Sequence, residues 1–131
     1  MFKWKEDYVI GVSEIDVQHK ELFNIAARAY AVFQDAFRID KYDEIVMILE
    51  ELKEYAVYHF KSEEEYMEKV GYRKLFSHKV EHEDFIAKVT SVDLKKVDEN
   101  QEKYLLDILN FIVEWTANHI LRKDKEITSS L

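Results

Sequence analysis

The chain has 131 residues and a net charge of −8, with no Cys, no Pro and only two Gly. The length is that of one domain, and residues 1–131 are read as a single one. The missing Cys excludes disulfides, thiolate clusters and Cys-based zinc sites, the acidic charge argues against nucleic acid, and the scarcity of breakers favours long helices with short turns.

Residues 1–15 show no helical period but carry Trp4, Tyr8, Val9, Ile10, Val12 and Ile15. They are expected to form an ordered arm against the body of the protein. The opening Met1-Phe2-Lys3-Trp4-Lys5-Glu6-Asp7 is too charged to begin a signal peptide. A first helix is predicted to start after Asp16, a good N-cap type, and to stop near Arg38. Its stripe is Leu22, Phe23, Ala26, Tyr30, Phe33 and Phe37, with His19 on the same face. A second helix runs from Lys41 to about Val70, with Gly71 at its C′ position. Its stripe is Ile45, Ile48, Leu49, Leu52, Ala56, His59, Glu63 and Met67. A third runs from Tyr72 to near Asp98, which would cap the fourth. The third presents Leu75, His78, His82, Phe85, Ile86 and Val89, and the fourth Leu105, Ile108, Leu109, Ile112, Trp115 and His119. The most apolar stretch, Leu105 to Trp115, is broken by Asp107, Asn110 and Glu114, so no transmembrane helix is predicted. The expected fold is all-α: an up-down-up-down four-helix bundle over residues 16–124 with an N-terminal arm and a short tail at 125–131. A cytoplasmic protein is expected.

His59 and Glu63, and His78 and His82, lie four residues apart, about 40° of rotation on a helix. Each pair therefore faces one way. Singly, each has an ordinary explanation: an i, i+4 ion pair, or a hydrogen-bonded core histidine. The topology changes that reading. His19 is near the start of the first helix, His59 and Glu63 near the end of the second. His78 and His82 are near the start of the third, His119 and Asp124 at the end of the fourth. In this topology all seven come to one end of the bundle. Burying five imidazoles unpaired is costly, and a metal site pairs them together. Asp124 needs a special backbone. Five residues of regular helix turn by about 140°, so it reaches the site only if the helix loosens between Arg122 and Asp124. Seven ligands exceed the four of zinc and suit two metal ions with bridging carboxylates. Imidazole and carboxylate without thiolate fit iron or manganese, iron better where nitrogen dominates.

These residues resemble the hemerythrin family, in its single-domain bacterial form. The resemblance rests on Asp16-Val17-Gln18-His19, His59-Phe60-x-x-Glu63, Gly71-Tyr72 before His78-x-x-x-His82, and Trp115-x-x-Asn118-His119-Ile120-x-x-x-Asp124. It implies two iron ions in a non-haem centre. His78, His82 and His119 would hold one, His19 and His59 the other. Glu63 and Asp124 would bridge them beside a solvent-derived oxo or hydroxo, and dioxygen would bind at the open position of the second iron. An oxygen pocket of Leu22, Phe60, Trp115 and Thr116 is expected. The family pattern is broken at Arg73, where Pro is common, at Ile127, where an aromatic is common, and at Thr116, where Leu is common. Thr116 either opens the pocket or bonds the Ile112 carbonyl. The implied role is an oxygen carrier or store feeding an oxygen-consuming enzyme, not itself an enzyme, with a monomer favoured. The alternatives are an oxygen or redox sensor module, or a protein handling peroxide, nitric oxide or iron. The expected absence of a fused signalling domain favours the carrier.

Overall fold

The computed structural model describes residues 5–35, 41–90 and 101–129. Four long helices form the bundle: α1 (Ser13–Gln34), α2 (Lys41–Val70), α3 (Leu75–Thr90) and α4 (Gln101–His119). A π-helical turn, Ile120–Asp124, follows α4 without a break and leads into the short α5 (Lys125–Ser129). The apolar stripes meet in one core, with Ile15, Ile25, Ile45, Leu52, Leu105, Leu109 and Ile120 almost wholly removed from water. Each such side chain contributes roughly 1.5–3 kcal/mol, and this offsets the cost of a buried polar cluster at one end. Among the described residues, no helix is long and apolar enough to cross a membrane.

The helix boundaries differ from expectation in informative ways. α1 begins at Ser13, not after Asp16. The Asp16 carboxylate reaches backwards, accepting from the Ile10 N–H at 2.8 Å and the Gly11 N–H at 3.2 Å. It closes the turn before the helix instead of capping its first N–H groups. Gly11 sits at φ +96°, a conformation that a side chain would strain. α1 ends at Gln34, short of Arg38, where Asp35 turns to extended backbone. Gly71 ends α2 at φ +69°, as its C′ placement requires. α3 begins at Leu75, three residues later than expected, after a turn through Tyr72. The expected end of the third helix near Asp98, and its capping of the fourth, lie outside the described residues, as do Trp4 and Phe37.

The arm is ordered where it is described. Tyr8 and Ile10 are buried, and the Tyr8 ring stacks on Phe23 at 5.0 Å. The expected tail at 125–129 is instead the helix α5. Ile127 is fully buried with Met67 and Tyr72, and the Thr128 hydroxyl donates to the Ile10 carbonyl at 2.6 Å. The beginning and end of the described chain are thus fastened to each other beneath the polar cluster.

Candidate metal centre

His19 comes from α1, His59 and Glu63 from α2, His78 and His82 from α3, His119 from α4 and Asp124 from the π turn. All seven are buried. The π turn answers the 140° difficulty. A hydrogen-bond pattern of i to i+5 takes one more residue per turn, which returns Asp124 to the face of His119. It spans Ile120–Asp124, so the loosening starts two residues earlier than Arg122.

The two carboxylates lie between two groups of imidazoles. Glu63 Oε2 is 3.2 Å from His59 Nε2 and 3.6 Å from His19 Nε2. Its Oε1 is 3.3 Å from His82 Nε2, 3.6 Å from His78 Nδ1 and 3.9 Å from His119 Nε2. Asp124 divides in the same way. Its Oδ2 is 3.2 Å from His19 Nε2, while Oδ1 is 3.2 Å from His119 Nε2 and 3.8 Å from His78 Nδ1. Two ligand clusters result, one of Glu63, His78, His82, His119 and Asp124, the other of His19, His59, Glu63 and Asp124. Within each, the donor atoms lie within 4.8 Å of one another.

The donor atoms themselves argue for cations. Both oxygens of Glu63 and Asp124, and both ring nitrogens of His19 and His78, are buried without a hydrogen-bond partner. The Nε2 atoms of His82 and His119 face each other at 3.1 Å. Buried polar atoms are rarely left unpaired, and these converge where an ion would satisfy them. In the metal-free protein, protons do part of that work. Burial opposes a charge on His19, but Asp124 and Glu63 outweigh it and push its pKa up to about 9. Burial likewise opposes a charge on His82, yet Glu63 and Glu64 raise it. Burial keeps His59 below its usual value. Burial would raise the Glu63 carboxyl, but His19, His59, His78 and His82 hold it well below the carboxylate range.

Behind the ligands lies a ring of contacts that the sequence reading missed. His59 Nδ1 donates to Gln18 Oε1 at 2.8 Å and His82 Nδ1 to Glu64 Oε2 at 2.9 Å, and His119 Nδ1 lies 3.1 Å from Glu81 Oε2. Each joins neighbouring helices and fixes a ring's orientation. Their only trace in the sequence is that each acceptor adjoins a ligand, which a 100° step per residue makes uninformative. Phe60 stacks on His82 at 4.0 Å and Trp115 on His119 at 4.6 Å.

The four expected pocket residues separate into two places. Leu22 and Thr116 line a cavity of about 10 Å³ with Phe23, Ala26, Leu52, Ile112 and Val113, room for about one water-sized molecule. Trp115 packs instead on the three-histidine side, against His119 and Phe85, and Phe60 lies between the two sets, stacked on His82 at 4.0 Å and 5.7 Å from the His59 ring. The Thr116 hydroxyl donates to the Ile112 carbonyl at 2.7 Å, so its proton is committed within α4.

Residues 10–129 match the family described as the hemerythrin HHE cation binding domain. The chain belongs to the hemerythrin family. It is 48% identical over 126 residues to a bacteriohemerythrin of Clostridium acetobutylicum, covering 96% of this chain and 98% of that protein. A Methylococcus capsulatus bacteriohemerythrin is 31% identical over 119 residues, covering 91% and 87%. A crystal structure of wild-type hemerythrin superposes with a TM-score of 0.81 at 28% identity, over 98% of this chain and 96% of that one. Hemerythrins bind non-haem iron, and this thiolate-free set of imidazoles and carboxylates fits that metal.

Proposed function

We propose that this protein binds dioxygen reversibly at a non-haem di-iron centre and serves as an oxygen carrier or store supplying oxygen-consuming enzymes. One observation carries the proposal: Glu63 turns one oxygen to His78, His82 and His119 and the other to His19 and His59, and Asp124 divides between the same two sets, with Oδ1 toward His78 and His119 and Oδ2 toward His19. Two bridging carboxylates between unequal sets make two unequal sites. His78, His82 and His119 would fill the first, and His19 and His59 would leave the second short of one ligand. A ferrous pair held there would supply two electrons and one open position.

The protein's own groups favour release over oxidation of a substrate. Five neutral imidazoles balance only two anionic ligands, a set that stabilises ferrous iron better than a carboxylate-rich one. Leu22, beside His19, lines a cavity of about 10 Å³, which suits a diatomic gas and not an organic substrate. Phe60 and Trp115 stack on His82 and His119 and hold those rings in place on the three-histidine side. The test is a spectrum of the anaerobic, reduced, iron-loaded protein before air, in air and after oxygen is removed. An oxygenated form that reverts supports the proposal. Irreversible oxidation on first contact with air, or one metal ion per chain, overturns it.

A further inference from the structure

The hydrogen bonds behind the two sets of ligands are chemically unequal. On the three-histidine side, His82 donates from Nδ1 to the Glu64 carboxylate, and His119 Nδ1 lies 3.1 Å from the Glu81 carboxylate. On the two-histidine side, His59 donates to the neutral amide oxygen of Gln18, while each side also holds one ring, His19 and His78, with neither nitrogen hydrogen-bonded, so the contrast lies in the acceptors of the other three rings. An imidazole that ligates through Nε2 keeps its proton on Nδ1, so the direction of these bonds follows from the ligation itself. A carboxylate acceptor pulls that proton toward itself, and the ring becomes a more electron-rich donor to a metal. An amide acceptor does this far less. The rings cannot easily turn away, because Phe60 stacks on His82 with planes 8° apart and Trp115 on His119 with planes 10° apart.

We infer that Glu64, Glu81 and Gln18 are positioning residues that decide which iron gives up the first electron. Glu64 and Glu81 favour the ferric state in the three-histidine site. The Gln18 amide leaves the two-histidine site ferrous. This rests on the di-iron reading above and adds an order to it. With ferricyanide as oxidant, the first equivalent takes one electron from the three-histidine iron and becomes ferrocyanide. The second takes one from the two-histidine iron. In the half-oxidised protein the iron with the open position is still ferrous, so a small anion, which prefers ferric iron, finds its binding position disfavoured. Glu81 is also 3.6 Å from Lys123 Nζ at the surface, so part of its charge is shared, whereas Glu64 is the less exposed of the two carboxylates.

The test uses the iron-loaded full chain, titrated anaerobically with ferricyanide at fixed pH, with iron content measured on every sample. The wild type is expected to oxidise in two resolved one-electron steps. Glu64→Gln and Glu81→Gln should each raise the first potential and leave the second in place. Loss of a group supporting a ligand changes metal affinity by about tenfold or more, which is about 59 mV for one electron. Gln18→Glu should lower the second potential, leave the first, and tighten azide binding to the half-oxidised form. That variant adds a negative charge to the acceptor instead of removing one, so it decides the matter if a Glu→Gln variant loads iron poorly. A merely structural role would not move one potential and spare the other. A single two-electron step in the wild type, equal shifts of both potentials, or unmoved potentials in two-iron variants would overturn the inference alone. One iron per chain would overturn the di-iron reading together with it.

Discussion

Glu63→Ala removes the side chain that touches most of the site. Glu63 is fully buried, and four imidazoles approach its two oxygens within 3.2–3.6 Å. In the chelator-treated protein the substitution leaves His19 with Asp124 alone as its anion, at 3.2 Å. Breaking a buried ion pair from one side costs about 3–5 kcal/mol, against a total stability of about 5–15 kcal/mol for a domain. With a urea slope of about 2 kcal/mol/M, the midpoint should fall by roughly 2 M. On the di-iron proposal the iron-loaded protein should lose more, because a bridge between two cations would go with it. Glu63→Gln separates the causes. It keeps the volume and one acceptor oxygen, so the metal-free protein should lose less, yet iron should be lost as fully. The assay is urea unfolding followed by circular dichroism, with and without chelator, beside elemental analysis. Glu63→Ala that keeps two irons and an unshifted midpoint would refute the bridging role.

Three further outcomes are expected. In the metal-free protein His19 stabilises the fold fully below its unfolded value of 6.5, and this is lost as pH rises through about 9. Glu63 contributes above 4.5 and loses that contribution as pH falls toward its lower folded value. The urea midpoint of chelated protein should therefore fall between pH 6 and pH 9.5, and a rise would contradict the pairing. Azide added to the oxidised protein should bind beside His19 and His59, near Leu22. A crystal structure with azide on the side of His78, His82 and His119 would reverse the assignment. Thr116→Leu fills the cavity that Thr116 and Leu22 share, and should slow decay of the oxygenated spectrum in air. Equal or faster decay would show that the space at Thr116 is not the route by which protons arrive.

What could be read from the sequence was whatever repeats with the helix. The i, i+4 pairs His59–Glu63 and His78–His82 fixed a face, and Gly71 marked a helix end that its φ of +69° bears out. The bend before Asp124 was legible only through chemistry: a carboxylate required beside His119 had to arrive by a wider turn. Nothing in Ile120-Leu121-Arg122-Lys123 announces it. Asp16 shows the limit of residue preference. Its type favours a helix start, but its carboxylate serves the N–H groups of Ile10 and Gly11 behind it. Gln18, Glu64 and Glu81 were invisible for another reason. Each acts on a ring carried by the next helix, and such a contact has no period along the chain. The oxygen pocket was read as one wall because Leu22, Phe60, Trp115 and Thr116 all adjoin ligands. Leu22 and Thr116 share a small cavity, Trp115 packs on His119, and Phe60 touches both His59 and His82.

The spread of the ligands from His19 to Asp124 also bears on when the site can exist. A ribosome adds roughly 5–20 residues per second, so the first and last ligands leave it roughly 5–20 s apart. In the later part of that interval Glu63 has been made but Asp124, the other carboxylate of both clusters, has not, nor has the π turn that aims it. The nascent chain can offer histidines to a passing ion, but neither ligand cluster is complete without Asp124. Both clusters are therefore assembled only in chains translated through α4 and its last wide turn, and a product truncated before Asp124 lacks one of the two carboxylates they share.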